Sequence, residues 1–191
     1  MNQGLLENYK GKLLISHPGL PKSHPFYETV IYITQDRFNN EATIGVILNV
    51  ATEHTVQKIC NEQGILFSDG RPTIYKGGPV NQRSLIMLHS DEWHSSNTSD
   101  AGLSYAISSD PFMFEKLSSG DEPVQYRIFA GLTAWTPGQL SLEINKQGPY
   151  ANSLPWLITD PTDEIIFGSE GTEQYSNALE LCSRQTFDQY F

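Results

Sequence analysis

The stretch Ile128-Phe-Ala-Gly-Leu-Thr-Ala-Trp-Thr-Pro-Gly-Gln-Leu-Ser-Leu-Glu-Ile-Asn-Lys-Gln147 joins a strand to a helix, and the rest of the chain is read around it. Residues 124–134 are rich in Val, Tyr, Ile, Phe and Thr, which is strand composition. A helix-start signal follows. Thr136 is a natural N-cap, Pro137 suits the first helical position, and Gln139 three residues after the cap completes a capping box. Leu140 and Ile144 then fall one turn apart on one face, with Gln139 and Glu143 on the adjacent strip. Gly148-Pro149 is the expected stop. Trp135 is thereby pinned at a strand-to-helix corner, beside first-turn N–H groups of the kind that hold anions or partner carbonyls. Most such corners bind nothing, so a structural role leads over a binding one. Glu143, among apolar neighbours, is expected to be partly buried and bonded to a backbone amide or to the Trp135 indole.

Working outward, the pattern is mostly strands. Residues 13–16 form a short strand, followed by a loop stiffened by Pro18, Pro21 and Pro25. Residues 28–34 have a continuous apolar middle and are expected to be buried on both faces. A turn at residues 36–40 leads to a return strand at 43–49, in which Gly45 marks a bulge or a close backbone approach. Thr52 or Thr55 caps a helix running to about Gln63, with Gly64 as its stop. Strands at 72–76 and 85–89 flank Gly77-Gly78-Pro79, which reads as a tight turn because it lacks the Lys-Ser/Thr of a phosphate loop. Residues 91–101 are Ser-, Asn- and Asp-rich, hence a loop. Then come a strand at 103–107, a helix capped by Asp110, strands at 156–159 and 164–167, and a last helix at 173–182. Hairpins outnumber βαβ alternation. The expected class is therefore α+β: a single domain, residues 1–191, with a largely antiparallel, barrel-like sheet flanked by about three to four helices.

Composition narrows the functions. A 191-residue chain with 38% hydrophobic and 11% aromatic residues supports one core without a metal or disulfide. The net charge of −10 disfavours sequence-independent attraction to nucleic-acid phosphates, and Lys10, Lys12 and Lys22 are the only loose basic cluster. Cys60 and Cys182 each sit on an apolar helical stripe, as buried small hydrophobes do. No basic-then-apolar leader opens the chain, and no apolar run approaches the roughly 18 residues of a membrane span. The location expected is the cytoplasm, with no membrane contact.

No motif names a reaction. The five histidines lack the spacing of a helical zinc pair, although His89 and His94 flank Asp91 and Glu92, and there is no Gly-x-Ser-x-Gly elbow. No cofactor and no metal is expected.

An ordered set of short matches carries a resemblance. It comprises Gly11-Lys-Leu-Leu-Ile then Pro18; Phe26 with Val30; Gly45-Val-Ile-Leu-Asn49; and Tyr75-Lys-Gly-Gly-Pro-Val80. It continues with Leu88-His89-Ser90; Gly131 with Trp135; and Gly138-Gln-Leu140 with Glu143-Ile144. Over about residues 11–170 the chain resembles the AlgH/YqgE family of bacterial proteins. It departs from the usual family pattern at Ser23, where an acid is common, at Thr133 in Gly131-Leu-Thr-Ala-Trp135, at Ser141, and in a Trp156-Leu157 delayed by an insertion. The resemblance implies a compact α+β fold with a barrel-like sheet in a cytosolic bacterial protein. Some members carry a transcriptional-regulator label, which the acidic charge here does not favour as direct DNA binding.

The leading expectation is a non-enzymatic protein that binds an unknown protein or small-molecule partner. Its expected surface comprises Asn49, Gly77, Gly78, Pro79, His89, Trp135, Gly138, Gln139 and Glu143. The first alternative is a hydrolase-like enzyme using Glu143 and His89. The second is a nucleic-acid-linked regulator.

Overall fold

A computed structural model describes residues 8–36, 41–62, 64–66, 73–154 and 156–188. The elements in order are β1 (Leu13–Ile15), β2 (Val30–Gln35), β3 (Thr43–Ile47), β4 (Ala51–Thr55), α1 (Val56–Glu62), β5 (Thr73–Lys76), β6 (Val80–Ser90), β7 (Ser99–Gly102) and β8 (Tyr105–Ser108). They continue with α2 (Phe112–Ser118), β9 (Tyr126–Trp135), α3 (Gln139–Ile144), β10 (Leu157–Thr159) and α4 (Gly171–Asp188). The strands make one sheet in the order β10-β1-β2-β3-β9-β6-β8-β7, with β5 and β4 branching from β9. Every pairing is antiparallel except β5 with β9. The class is α+β, with a curled half-barrel sheet. The curl is latched where the Tyr32 hydroxyl reaches the β7 carbonyls of Ala101 and Gly102, at 3.0 and 3.1 Å.

β9 is the hub. One of its edges pairs with β6 along most of its length. The other edge is shared: Ile128–Ala130 pair with β5, and Thr133–Trp135 pair with β3. The hand-over lies at Gly77. Its N–H donates to Ala130 O and its carbonyl accepts from Ile47 N, both at 2.9 Å, so one glycine stitches β9 to β3. A Cβ on Gly77 would sit 2.2 Å from Gly131 O, and one on Gly78 equally close to Leu132 O. The glycines therefore serve backbone-on-backbone packing rather than the tight turn expected from the sequence.

Period-two alternation sorts the sheet into two faces. Leu13, Ile15, Val30, Tyr32, Val46, Leu88 and Phe129 point into the curl, where α4 adds Tyr175 and Ala178. On the convex face Leu14, Ile31, Ile33 and Ile47 pack with Trp135 and Leu140. Further along that face Ile74, Met87 and Ile128 pack against Val56 and Cys60 of α1 and Met113, Phe114 and Leu117 of α2. β2 is buried from Val30 to Ile33 because both its faces are covered. Gly45 fits the close-approach reading, since a Cβ there would lie 2.8 Å from Ile31 Cγ2 and Tyr32 O. The β2/β3 register also shifts nearby, between Ile33 and Gln35.

Several expected elements differ. Residues 164–167 form a π-helical turn, Glu164–Gly168, instead of a strand. The apolar run packs Ile165 and Ile166 into the same core cluster, which alternation along a strand would forbid. The irregular carbonyls are met by side chains: Gln174 Nε2 donates to Ile165 O at 2.6 Å, and Arg127 Nη2 donates to Phe167 O and Ser169 O at 3.2 and 3.1 Å. The polar loop at 91–101 contains the start of β7, held to β8 through Ser99↔Ile107 and Asp100↔Ala106. Thr52 lies in β4, while Thr55 caps α1 by accepting Lys58 N at 3.3 Å. Asp110 ties the preceding loop to α2, accepting from Ser95 Oγ and Asn97 N at 2.8 and 3.2 Å. The last helix reaches Asp188. The expected turn at 36–40 and the ends at Gln63 and Pro72 fall wholly or partly outside the described residues.

Candidate functional site

The corner after β9 is built differently from a capped helix. α3 spans six residues, Gln139–Ile144, and Gly138 enters it in a left-handed conformation at φ 76°. Half of the capping box forms: Gln139 Oε1 accepts from Thr136 N at 3.0 Å and from Thr136 Oγ1 at 3.1 Å. The other half is absent, because the Gln139 N–H turns back to the Thr136 carbonyl at 2.9 Å instead of the hydroxyl. The Thr136 hydroxyl is engaged by the Gln139 side chain instead of the Gln139 backbone N–H. Gln139 N and Leu142 N are both bonded to backbone carbonyls, in keeping with the structural role that leads for this corner. The helix ends at Asn145, before the expected stop, and Gly148–Tyr150 forms a separate 3-10 turn.

What the corner creates is a pocket of about 290 Å³. Pro79, Trp135, Gln139 and Glu143 of the expected residues line it. Ser16, His17, His24, Phe26, Tyr150 and Trp156 complete much of the wall, brought in by the proline-rich loop and by the segment after α3. At the centre stands the Glu143 carboxylate. Oε2 accepts from the indoles of Trp135 and Trp156 at 3.1 and 2.8 Å, and Oε1 accepts from Gln139 Nε2 at 2.9 Å. The bond to Trp135 is the one expected from the sequence. The indoles meet edge to face, 6.2 Å between centroids, and Phe26 packs edge-on against Trp156 at 5.6 Å. His17 and His24 each accept a backbone N–H at Nδ1, from Gly19 at 3.0 Å and Phe26 at 3.2 Å.

The remaining expected residues lie elsewhere. Asn49 is buried and structural: its Oδ1 accepts from Val30 N at 2.9 Å, and its Nδ2 donates to Glu28 O and Gly171 O. Gly77 and Gly78 pack against β9, and Gly138 forms the corner itself. His89 is wholly buried, with Nδ1 donating to Ser90 O and Nε2 facing Ser108 Oγ, each at 2.9 Å. A serine on Nε2 looks like an activated nucleophile, but Ser108 is 1% exposed, so no acyl group reaches it. Ser108 and Thr98 Oγ1, 2.7 Å apart, continue a network that fastens the loop before β7. The Glu143–His89 pairing of the enzymatic alternative is thus not formed: His89 lies outside the pocket and both its ring nitrogens are engaged within the chain. Desolvation holds the His89 imidazole below its ordinary value. Among the described residues no group of three His, Cys, Asp or Glu is placed to hold a metal, and no helix is long and apolar enough to cross a membrane.

A family model described as AlgH-like matches residues 13–186. The chain belongs to the AlgH-like family. The UPF0301 proteins of Rickettsia massiliae (strain Mtu5) and Rickettsia conorii (strain ATCC VR-613 / Malish 7) are each 28% identical over 184 residues, covering 94% of this chain and 92% of theirs. The solution structure of the AlgH protein from Pseudomonas aeruginosa superposes with a TM-score of 0.74 at 22% identity, over 95% of this chain and 92% of that one. A crystal structure from Corynebacterium diphtheriae gives 0.67 at 20% identity, over 90% and 86%. At these identities the structural likeness is one of fold.

Within this AlgH-like chain the departures from the usual pattern acquire places. Thr133 is buried on β9 and donates to Gly45 O at 2.9 Å, adding a side-chain bond between β9 and β3. Ser141 faces Asn145 on α3. Ser23 is exposed in the proline-rich loop. Trp156, delayed by the insertion, is the second indole on Glu143. His17, His24 and Phe26 were missed as site residues. Their one sequence signal was the density of prolines, which marks a rigid loop without saying where it folds.

Proposed function

We propose that this AlgH-like chain is a non-enzymatic binding protein of the cytoplasm, whose pocket at the end of β9 takes a small molecule or a projecting group of a partner protein. The observation that carries this is the Glu143 carboxylate, fixed by two indoles inside an aromatic-walled concavity. Pockets of this kind, apolar with a few oriented polar groups, are the usual form of a ligand site, and one of this size sits near the lower end of the roughly 300–1,000 Å³ range. The unpaired cysteines suit a reducing compartment. Direct DNA binding has less support. The net charge is −10, and two members of the one loose basic cluster, Lys10 and Lys12, are ion-paired to Asp100 and Asp160, which weakens any electrostatic footprint there.

The test exploits Leu154, which is 43% exposed at the pocket rim. Recovery from native cytosol, with mass spectrometry of bound metabolites and proteins, is compared for the wild type and Leu154→Trp. The variant should keep its melting temperature and lose a specific companion. A companion retained equally by both, or none recovered by the wild type, counts against the pocket as the binding site.

A further inference from the structure

Resting on that reading, we propose that the pocket recognises a small organic cation, an ammonium group on an apolar frame, through Glu143 and the rings of Phe26, Trp135 and Trp156. The argument begins with charge. Glu143 brings a carboxylate to the pocket, and neither lysine nor arginine appears among the described residues lining it. The two imidazoles there receive backbone N–H groups at Nδ1, and neither is among the donors on the carboxylate. The three donors on the carboxylate, from Trp135, Trp156 and Gln139, are all neutral. They fix its position and leave its charge uncompensated.

The walls agree with the charge. Electron-rich rings bordering one carboxylate form the surroundings that hold ammonium ligands, where ring quadrupole and carboxylate attract the same sign. An anion would meet Glu143 in repulsion, and a neutral apolar ligand would leave the carboxylate's charge unanswered. Size sets the rest. A pocket of about 290 Å³ suits a compact ligand, and the occupant assigned to it is a free small molecule.

The experiment uses choline and its uncharged isostere 3,3-dimethyl-1-butanol, titrated into the wild-type protein while the indole N–H signals of Trp135 and Trp156 are followed by NMR. Choline should shift both signals and bind at least about tenfold more tightly than the isostere. Glu143→Gln, which keeps an acceptor for the indoles, should abolish that preference and retain the isostere. Should that variant fail to fold, the wild-type comparison decides alone. Equal or tighter binding of the isostere overturns the cation assignment and leaves the pocket a binding site. Silence from both probes up to about 100 mM, a concentration that detects even very weak association, also overturns it. The Leu154→Trp comparison then judges the binding reading separately. Binding to phosphatidylcholine vesicles without binding to free choline overturns the assignment to a free ligand.

Discussion

Trp156 donates its indole N–H to Glu143 Oε2 at 2.8 Å from thirteen residues further along the chain, closing over the corner that Trp135 begins. A partly buried carboxylate thereby links α3 to the segment leading into β10, and the link is testable through stability alone. Glu143→Ala leaves two indole donors without their acceptor and should cost about 1–3 kcal/mol, whereas Glu143→Gln should cost less because an oxygen remains. Chemical denaturation of the pair measures it. Equal losses for Ala and Gln would show that the indoles do not depend on this acceptor.

The corner makes a second, graded prediction. Trp135 is 4% exposed and packs with Ile31, Ile33 and Leu140, so Trp135→Ala should cost about 3–5 kcal/mol. Thr136 does not cap α3 through its hydroxyl, so Thr136→Ala should fall below the roughly 0.5–2 kcal/mol of a lost N-cap. A full capping penalty at Thr136 in thermal melts would restore the complete capping box.

Arg127 is the most connected buried cation among the described residues. It donates to the carbonyls of Leu48, Phe167 and Ser169 and to Gln174 Oε1, with Tyr75 stacked 4.4 Å away. Removing it orphans several buried acceptors at about 1–3 kcal/mol each, so Arg127→Met should destabilise by about 3 kcal/mol or more. Arg127→Lys should recover only part of that, since one ammonium cannot span the same acceptors. A melting temperature unchanged by Arg127→Met would mean that the acceptors find other donors.

The buried His89 sets a pH dependence with a definite sign. Its folded value lies below the ordinary 6.5, so the unfolded chain binds the proton more readily. Stability is complete above about pH 6.5 and falls as pH drops below it, by at most about 1.4 kcal/mol per unit until the folded value is reached. His89→Gln should be less stable at pH 7.5 yet lose less stability than the wild type between pH 6.5 and 5. Parallel wild-type and variant curves over that window would rule out His89 as the source.

Local chemistry made much of the fold legible. β2, β3 and the second half of β6 announce themselves by short apolar runs, and each sends its odd and even positions to opposite faces. Trp135 beside Glu143 was readable because a strand-to-helix corner brings them within one turn of each other. What stayed hidden depends on distant partners. The parallel β5–β9 pair, the π turn at Ile165 and the arrival of His24 and Trp156 are each decided by residues tens of positions away, such as Arg127 for the turn. Gly77 shows the same limit in miniature: its need for glycine comes from Gly131, which no pattern around residue 77 records.

The shared edge of β9 has a consequence for the order in which a ribosome delivers this chain. β3, β5 and β6 all complete their pairing on residues 126–135, so the strands made earlier emerge before the template that joins them. Until then the nascent chain carries the apolar faces of β2 and β3 as a hairpin without its cover, and Trp135 and Leu140 appear only near the end of that wait. β10 and α4 come later still, to close the β1 edge and fill the curl. Assembly therefore waits on long-range closures, with strand edges exposed until residues 126–135 are available to pair.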